Sequence, residues 1–234
     1  MNIPVNYVDV VTMTLGIEIL ALETDSAQLL EMCRAKGRGK GTGAFVPEGL
    51  IENALHKRAL CPELRQRLDQ LEEMEKRLAS KTARLVLIDC RGFCDPAAKG
   101  QGKGSAQGHL GSHIDNLVAM SQLRHHWTPL IEKCKTLSQT ACDDKVQTLY
   151  MVFYCQKGRH RSVGAEFVIR HCLLHHSRVI DTVHVHKSLW YRSIRCGQCE
   201  ECQGMTDAKA KLIKRTYDLI WNLENGRRVG SRGQ

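Results

Sequence analysis

A cysteine and an arginine flank five residues of a basic, glycine-containing loop, and this spacing suits phosphate chemistry. An apolar run, residues 149–154, precedes the loop, and an amphipathic segment, residues 163–174, follows it. The pattern predicts a buried strand, a tight loop and a helix. Backbone N–H groups at a helix start attract anions. We therefore expect the loop to hold a phosphate, aided by basic side chains at Lys157, Arg159, His160 and Arg161.

The same loop has the spacing C-x-x-G-x-x-R-S, which is typical of cysteine-dependent phosphatases. Such a loop turns the thiol of Cys155 and the guanidinium of Arg161 toward one phosphate. Nearby positive charge favours the nucleophilic thiolate, and arginine binds two phosphate oxygens. An enzyme of this kind also needs an acid for the leaving group, and Asp95 or Asp89 could supply it. No acid motif of the usual phosphatase kind is present, so catalysis is the alternative hypothesis.

The residues around the loop resemble a different family. Cys155, followed by Gly158-Arg159-His160-Arg161-Ser162-Val163, is similar to the C-T-G-G-Q-H-R-S-V motif of the C-terminal domain of the RNase adapter RapZ family. Residues 89–96, DCRGFCDP, are similar to the D-x-R-F…N-P segment of that family, and His186-Lys187 falls where the family has His-Arg. The resemblance spans roughly residues 84–190. Gln156-Lys157 replaces the Thr-Gly of the family, and its N-terminal Walker A domain has no counterpart here.

The resemblance implies a small α/β domain that binds a phosphorylated sugar or nucleotide without catalysis. In the bacterial adapters the domain also binds RNA and a ribonuclease. The ligand contacts that we expect lie in the loop and on two neighbouring strand ends: Asp89, Arg91, Cys155, Gly158, Arg159, His160, Arg161, Ser162 and His186.

A second cluster of chemistry-bearing residues lies near the C-terminus. Cys196, Cys199 and Cys202 form two overlapping C-x-x-C steps, a spacing that suits a structural zinc ion. The fourth ligand stays open at this stage, and the candidates are His184, His186, Cys172 and Cys94. Unliganded thiols and an iron–sulfur cluster are the alternatives, although a ferredoxin-type cluster would need a cysteine where Thr206 stands.

The strand and helix patterns around these residues predict an α/β fold with a small, mostly parallel sheet flanked by helices. Ligands bind beyond the carboxyl ends of the strands in such sheets. We predict a partly helical N-terminal extension, with a helix at 62–81, over residues 1–83, and the anion-binding domain over 84–192. A Cys-rich loop and a C-terminal helix, which zinc would staple to the sheet, follow at 193–224, and residues 225–234 are a disordered basic tail.

Composition adds expectations about partners. The chain has 234 residues and a net charge of +9, and basic stretches occur at 36–40 and 227–232, so RNA is a candidate partner. The eleven cysteines, with no recognisable secretory signal, favour reduced thiols or metal ligands in the cytoplasm, with a nuclear location left open. No apolar run is long enough to predict a membrane span. The oligomeric state is not indicated.

Overall fold

The computed structural model describes residues 8–17, 27–28, 31, 76, 79, 83–93, 109–121, 124–174, 179–187 and 200–224. Within these ranges the chain forms four strands, β1 (Val8–Gly16), β2 (Ala83–Asp89), β3 (Thr148–Cys155) and β4 (Val179–Lys187). The helices whose bounds are described are α1 (Ile114–Ser121), α2 (Arg124–Asp143), α3 (Arg161–Leu174), α4 (Glu200–Gln203) and α5 (Asp207–Glu224).

The four strands form one sheet in the order β2-β3-β1-β4, and every neighbouring pair is parallel. The predicted α/β fold with a small parallel sheet and flanking helices is therefore confirmed. β3 is a run of apolar and aromatic residues, TLYMVFYC, and it is buried along its whole length. Continuous burial of this kind is what a parallel strand covered on both faces requires.

The position of β1 differs from the predicted domain boundary. Residues 8–16 lie between β3 and β4 in the middle of the sheet, so they are part of the α/β domain and not of an N-terminal extension. Lys76 and Ala79 are helical, and the remainder of the helix predicted at 62–81 falls outside the described residues. The zinc staple proposed for the C-terminal helix stays a prediction, while α5 itself is present.

Helix α3 was expected to be amphipathic, and the structure corrects this. Eleven of its residues are buried, from Arg161 to Leu173, because the helix packs against β1, β3 and β4 on one side and against α1, α2 and α5 on the other. A helix that is covered on both sides exposes few residues, here mainly Leu174 at its end, so its sequence carries no continuous polar stripe. The start of α3 is consequently held in a fixed position at the end of β3.

Helical segments connect β2 to β3, and one of them contains a proline. The structure has two helices, and Pro129 lies inside α2. The indole of Trp127 is 1% exposed, donates to the carbonyl oxygen of Met120 at 3.0 Å and packs on Phe93. Trp127 therefore ties the start of α2 to the end of α1. No helix within the described part of the chain is both long and apolar enough to cross a membrane.

Candidate functional site

The carboxyl ends of the strands meet along one edge of the sheet, as the sequence predicted. Gly16 of β1 pairs with Cys155 of β3, and Asp89 of β2 pairs with Tyr154 of β3. The N–H of Cys90 extends the β2–β3 pairing by donating to the carbonyl of Tyr154 at 2.9 Å. His186 is in register with Thr14, so it lies at this edge on β4, two strands away from Cys155.

The loop that joins β3 to α3, residues 156–160, closes around the thiol of Cys155. The sulfur accepts the N–H of Gly158 at 3.2 Å and lies 3.3 Å from the hydroxyl oxygen of Ser162. Cys155 is 2% exposed and Ser162 is fully buried. The spacing recognised in the sequence thus gives a closed turn whose polar contacts centre on the sulfur atom.

Gly158 and Gly16 bring the loop against the end of β1. Gly158 has a φ of +66°, and a Cβ added to it would lie 2.5 Å from the backbone nitrogen of Gly16. A Cβ added to Gly16 would lie 2.7 Å from the carbonyl carbon of Lys157. Two backbones can approach this closely only when neither residue carries a side chain. Gly158 is therefore needed for the geometry of the loop, and Gly16 is a site residue that the sequence analysis missed.

A second loop, residues 109–113, packs against the other side of the same turn. The N–H of Gly111 donates to the carbonyl of Arg159 at 3.0 Å, and a Cβ on Gly111 would collide with the carbonyl oxygen of His160. Asn116 fixes the second loop by donating its side-chain amide to the carbonyl of Leu110 at 2.7 Å. Residues 109–113 are thus packed against the candidate site.

Arg161 joins the loop of residues 156–160 to the loop after β2. Its Nη1 donates to the carbonyl of Arg91 at 2.9 Å, with the carbonyl of Phe93 at 3.5 Å. Arg161 is 9% exposed. The ligand contact that the sequence predicted for this guanidinium stays a prediction, and the structure shows a positioning contact between two loops.

Asp89 and Arg91 bind each other. Nη2 of Arg91 lies 2.6 Å from Oδ2 of Asp89, and Nε lies 2.9 Å from Oδ1. The backbone N–H of Arg91 also donates to Oδ1, at 2.8 Å, and the guanidinium stacks over the ring of Tyr154. The pair was predicted to contact a ligand, and here the carboxylate also fixes the turn that presents the carbonyl of Arg91 to Arg161.

The remaining predicted residues of the loop differ in exposure. Lys157 is exposed and Arg159 is half-buried, whereas His160 is 3% exposed. The carbonyl of His160 accepts the N–H of Gly164 at 2.8 Å, the first bond of α3. Two cationic side chains therefore stand at the loop surface beside the N-terminus of a fourteen-residue helix.

A second thiol lies close to the site and was not singled out from the sequence. Cys90 is fully buried, and its Sγ donates to the carbonyl of Ile88 at 3.6 Å. Burial raises the pKa of the Cys90 thiol well above its usual range, and the neighbouring groups of Cys155 and Asp89 raise it further. Cys90 is consequently a neutral thiol that packs beneath the β2 end of the site.

Glu166 is another buried group that the sequence analysis missed. It is fully buried in α3, where its Oε1 accepts the hydroxyl of Thr12 at 2.6 Å and lies 3.5 Å from Nε of Arg170. The sequence feature that could have revealed Glu166 is its position as a single acidic residue within the apolar stretch Val163 to Ile169. The contact ties α3 to the central strand β1.

Several predicted residues cannot be placed. Asp95, Cys94, Cys196 and Cys199 fall outside the described residues, and of His184 and His186 only the strand register is described. Among the described residues no group of three or more potential metal ligands comes together. Cys202 is described: it is 2% exposed, and its sulfur lies 3.8 Å from Nδ1 of His109.

An apolar cavity of about 510 Å³ lies elsewhere, at the C-terminal end of α3 and against α5. Arg161 begins α3 and Cys172 lies near its end, so the cavity and the loop are at opposite ends of this helix. The cavity is lined, among the described residues, by His171, Cys172, Met205, Ala210, Ile213, Lys214 and Asp218. It is therefore distinct from the strand-end site.

The fold and the site define a parallel α/β domain with a basic strand–loop–helix turn at the carboxyl edge of its sheet. Comparisons with family models, with curated proteins and with solved structures found no match to this chain. The resemblance to the RapZ C-terminal domain therefore stays a prediction.

Proposed function

We propose that this α/β domain is a non-catalytic binding module for a phosphorylated sugar or nucleotide, which it holds at the turn between β3 and α3. The observation that carries the proposal is the closed turn itself. Cys155, Gly158 and Ser162 fold the loop, and the loop opens into the N-terminus of α3 at the carboxyl edge of a parallel sheet. The first N–H groups of a helix have no intrahelical acceptor, so they are available to an anion.

The side chains divide into two roles in this proposal. Lys157, which is exposed, and Arg159, which is half-buried, supply positive charge in the loop, next to the helix N-terminus. Arg161 holds the loop after β2 through Nη1. Its Nε–Nη2 edge has the geometry with which a guanidinium binds two phosphate oxygens. Asp89 and Arg91 position the carbonyl that Arg161 contacts, and Cys155 and Ser162 shape the turn.

Isothermal titration calorimetry tests the proposal with matched pairs of compounds: glucosamine 6-phosphate against glucosamine, and UMP against uridine. We expect at least one phosphorylated compound to bind and its unphosphorylated partner to bind at least about tenfold more weakly, because charge-assisted hydrogen bonds contribute about 1.5–3 kcal/mol. Lys157→Ala and Arg159→Ala should each weaken binding by about ten- to a hundredfold, the effect of losing one charge-assisted hydrogen bond.

Lys211→Ala is the matched control, because Lys211 is an exposed lysine on α5 and its loss changes the net charge by the same amount. If Lys211→Ala weakens binding as much as Lys157→Ala, the effect is one of general charge and the proposed site is wrong. If no phosphorylated compound gives a heat of binding or raises the melting temperature of the protein, the proposal is also wrong.

A cysteine-dependent phosphatase is the second candidate, and one observation favours it. The sulfur of Cys155 receives the Gly158 N–H and lies against the Ser162 hydroxyl, so the loop curls around this sulfur as the C-x-x-G-x-x-R-S spacing predicts. The burial of Cys155 and the engagement of Asp89 by Arg91 count against it. The enzyme hypothesis requires hydrolysis of p-nitrophenyl phosphate that Cys155→Ser abolishes; an inactive wild-type protein between pH 5 and pH 8 would reject it.

RNA remains a proposed additional partner, on the net charge of +9. The basic stretches at 36–40 and 227–232 that motivated it fall outside the described residues. Binding to phosphates should weaken steeply as salt increases, so a gel shift that is absent at low salt, or insensitive to salt, contradicts this proposal. The cytoplasmic or nuclear location likewise stays a prediction.

A further inference from the structure

The cavity between the C-terminal end of α3 and α5 has the size of a small-molecule site. Its volume is about 510 Å³, and ligand pockets in proteins have volumes of roughly 300–1,000 Å³. The strand-end turn lies at the other end of α3, so the cavity is not part of the proposed phosphate site. A ligand in this cavity therefore goes beyond the proposed function.

Part of the lining is apolar. Ile213 and Cys172 are each 7% exposed, whereas Met205, just before α5, is 45% exposed. Burial raises the pKa of the Cys172 thiol to about 12, so this thiol is neutral at pH 7 and packs as a small apolar group. The ring of His171 packs edge-on against Phe167, with centroids 5.0 Å apart. This lining suits the apolar part of a ligand.

Two opposite charges on α5 line the same cavity. Lys214 is exposed and Asp218 is half-buried. They lie four positions apart, so they are neighbours on one face of the helix, but a lysine that precedes its carboxylate has the less favourable orientation for pairing. Within the described part of the chain, neither side chain forms an ion pair. Both charges are therefore open to a ligand.

We propose that this cavity binds an apolar α-amino acid, with leucine and phenylalanine as the model ligands. Nζ of Lys214 donates to the carboxylate of the ligand, and the carboxylate of Asp218 accepts from its ammonium group. The ligand side chain packs against the apolar lining at Cys172, Met205 and Ile213. A ligand with one charge pairs with one of the two helix side chains and is repelled by the other, whereas a zwitterion pairs with both.

The apolar side chain of the ligand supplies most of the affinity in this site. Lys214 is exposed, and ion pairs in contact with water contribute little. Burial of a leucine side chain changes the dissociation constant by about ten- to a hundredfold. Each of the two ion pairs changes it by about two- to fivefold. The two charges therefore orient the ligand and select its head group.

Isothermal titration calorimetry on the full chain tests the proposal with matched compounds. We expect leucine to bind, and glycine to bind about ten- to a hundredfold more weakly because it lacks the side chain. N-acetyl-leucine lacks the ammonium charge and leucinamide lacks the carboxylate. Each should bind about two- to fivefold more weakly than leucine.

Variants of the lining residues locate the ligand. Asp218→Asn should remove the preference for leucine over N-acetyl-leucine, and Lys214→Ala should remove the preference over leucinamide. Lys211→Ala is the control, because Lys211 is also an exposed lysine of α5 but does not line the cavity. Ala210→Trp should weaken leucine binding by at least about tenfold, because the indole fills the space that the ligand side chain needs.

Ala210 is exposed, so we expect the tryptophan variant to fold, and circular dichroism checks this. If it does not fold, the two charge variants decide the test. The proposal is wrong if neither leucine nor phenylalanine gives a heat of binding. Equal affinities for leucine, N-acetyl-leucine and leucinamide would also overturn it, since the cavity would then be a general apolar site. Unchanged leucine binding by a folded Ala210→Trp variant would show that the amino acid binds elsewhere.

Discussion

Replacing Gly158 by alanine should distort the candidate site, because the backbone around Gly158 leaves no room for a Cβ. The backbone at Gly158 has φ +66°, in the left-handed region, where a residue with a Cβ costs about 1–2 kcal/mol. The new Cβ would also lie 2.5 Å from the nitrogen and 2.8 Å from the Cα of Gly16. Gly16 is held by its pairing with Cys155, so the backbone cannot simply move aside.

Overpacking of this kind costs a further 1–3 kcal/mol or so, which gives a total loss of about 2–5 kcal/mol in the free energy of unfolding. For a chain of this size that corresponds to a melting temperature lower by about 5–15 °C. Differential scanning calorimetry measures both quantities. Loss of phosphate binding should accompany the loss of stability, because the same turn presents the start of α3.

Gly92→Ala provides the matched control. Gly92 is exposed on the loop after β2, and a Cβ there would meet only the ring of His126, at 3.8 Å, an ordinary contact. We expect its free energy of unfolding to change by no more than about 0.5 kcal/mol. If Gly158→Ala unfolds at the same temperature as Gly92→Ala, the close contact between the loop and β1 is not present in solution and the argument is wrong.

Two further predictions concern charge and protonation. Burial raises the pKa of Cys134 and of Cys172 from 9.0 to about 12; because the unfolded thiols deprotonate first, the folded state holds more protons between these values. The free energy of unfolding should therefore fall above about pH 9, by up to about 1.4 kcal/mol per pH unit for each thiol. Urea denaturation at pH 7.5 and pH 10 measures this fall, and Cys134→Ala should make it smaller. A free energy of unfolding that does not change with pH contradicts the prediction. Arg161→Ala should cost about 1.5–3 kcal/mol because it removes a buried charged donor from the carbonyl of Arg91. Arg84→Ala is the control: it removes an exposed ion pair with Asp144 and should lower the free energy of unfolding by less than about 1 kcal/mol. If urea denaturation gives the same loss for Arg161→Ala and Arg84→Ala, Arg161 does not hold the two loops together.

The features that the sequence could predict depend on residues that follow one another in the chain. The apolar run before Cys155 and the basic turn after it specify a buried strand, a loop and a helix start through local pattern alone. β2 has a similar local pattern, because its apolar run stops at Asp89. Parallel pairing followed from the alternation of strands and helices.

The features that sequence could not predict depend on segments far apart in the chain. Residues 8–16 look like a strand, but only pairing with β3 and β4 puts them at the centre of the sheet. The amphipathic reading of α3 failed because other helices cover its outer side. The contact between His109 and Cys202 could not be predicted, because it depends on how α4 meets the 109–113 loop.

The contacts of the turn favour a preformed binding site over a reactive thiol. Three chain segments fix it independently: the end of β1 through Gly16, the loop after β2 through the carbonyl of Arg91, and the 109–113 loop through Gly111. A loop fixed at three places loses little conformational entropy when an anion binds, and that saving increases affinity. A nucleophile gains nothing from the same contacts if its sulfur stays buried beneath the turn, as Cys155 does. The architecture therefore favours holding a phosphate over transferring one.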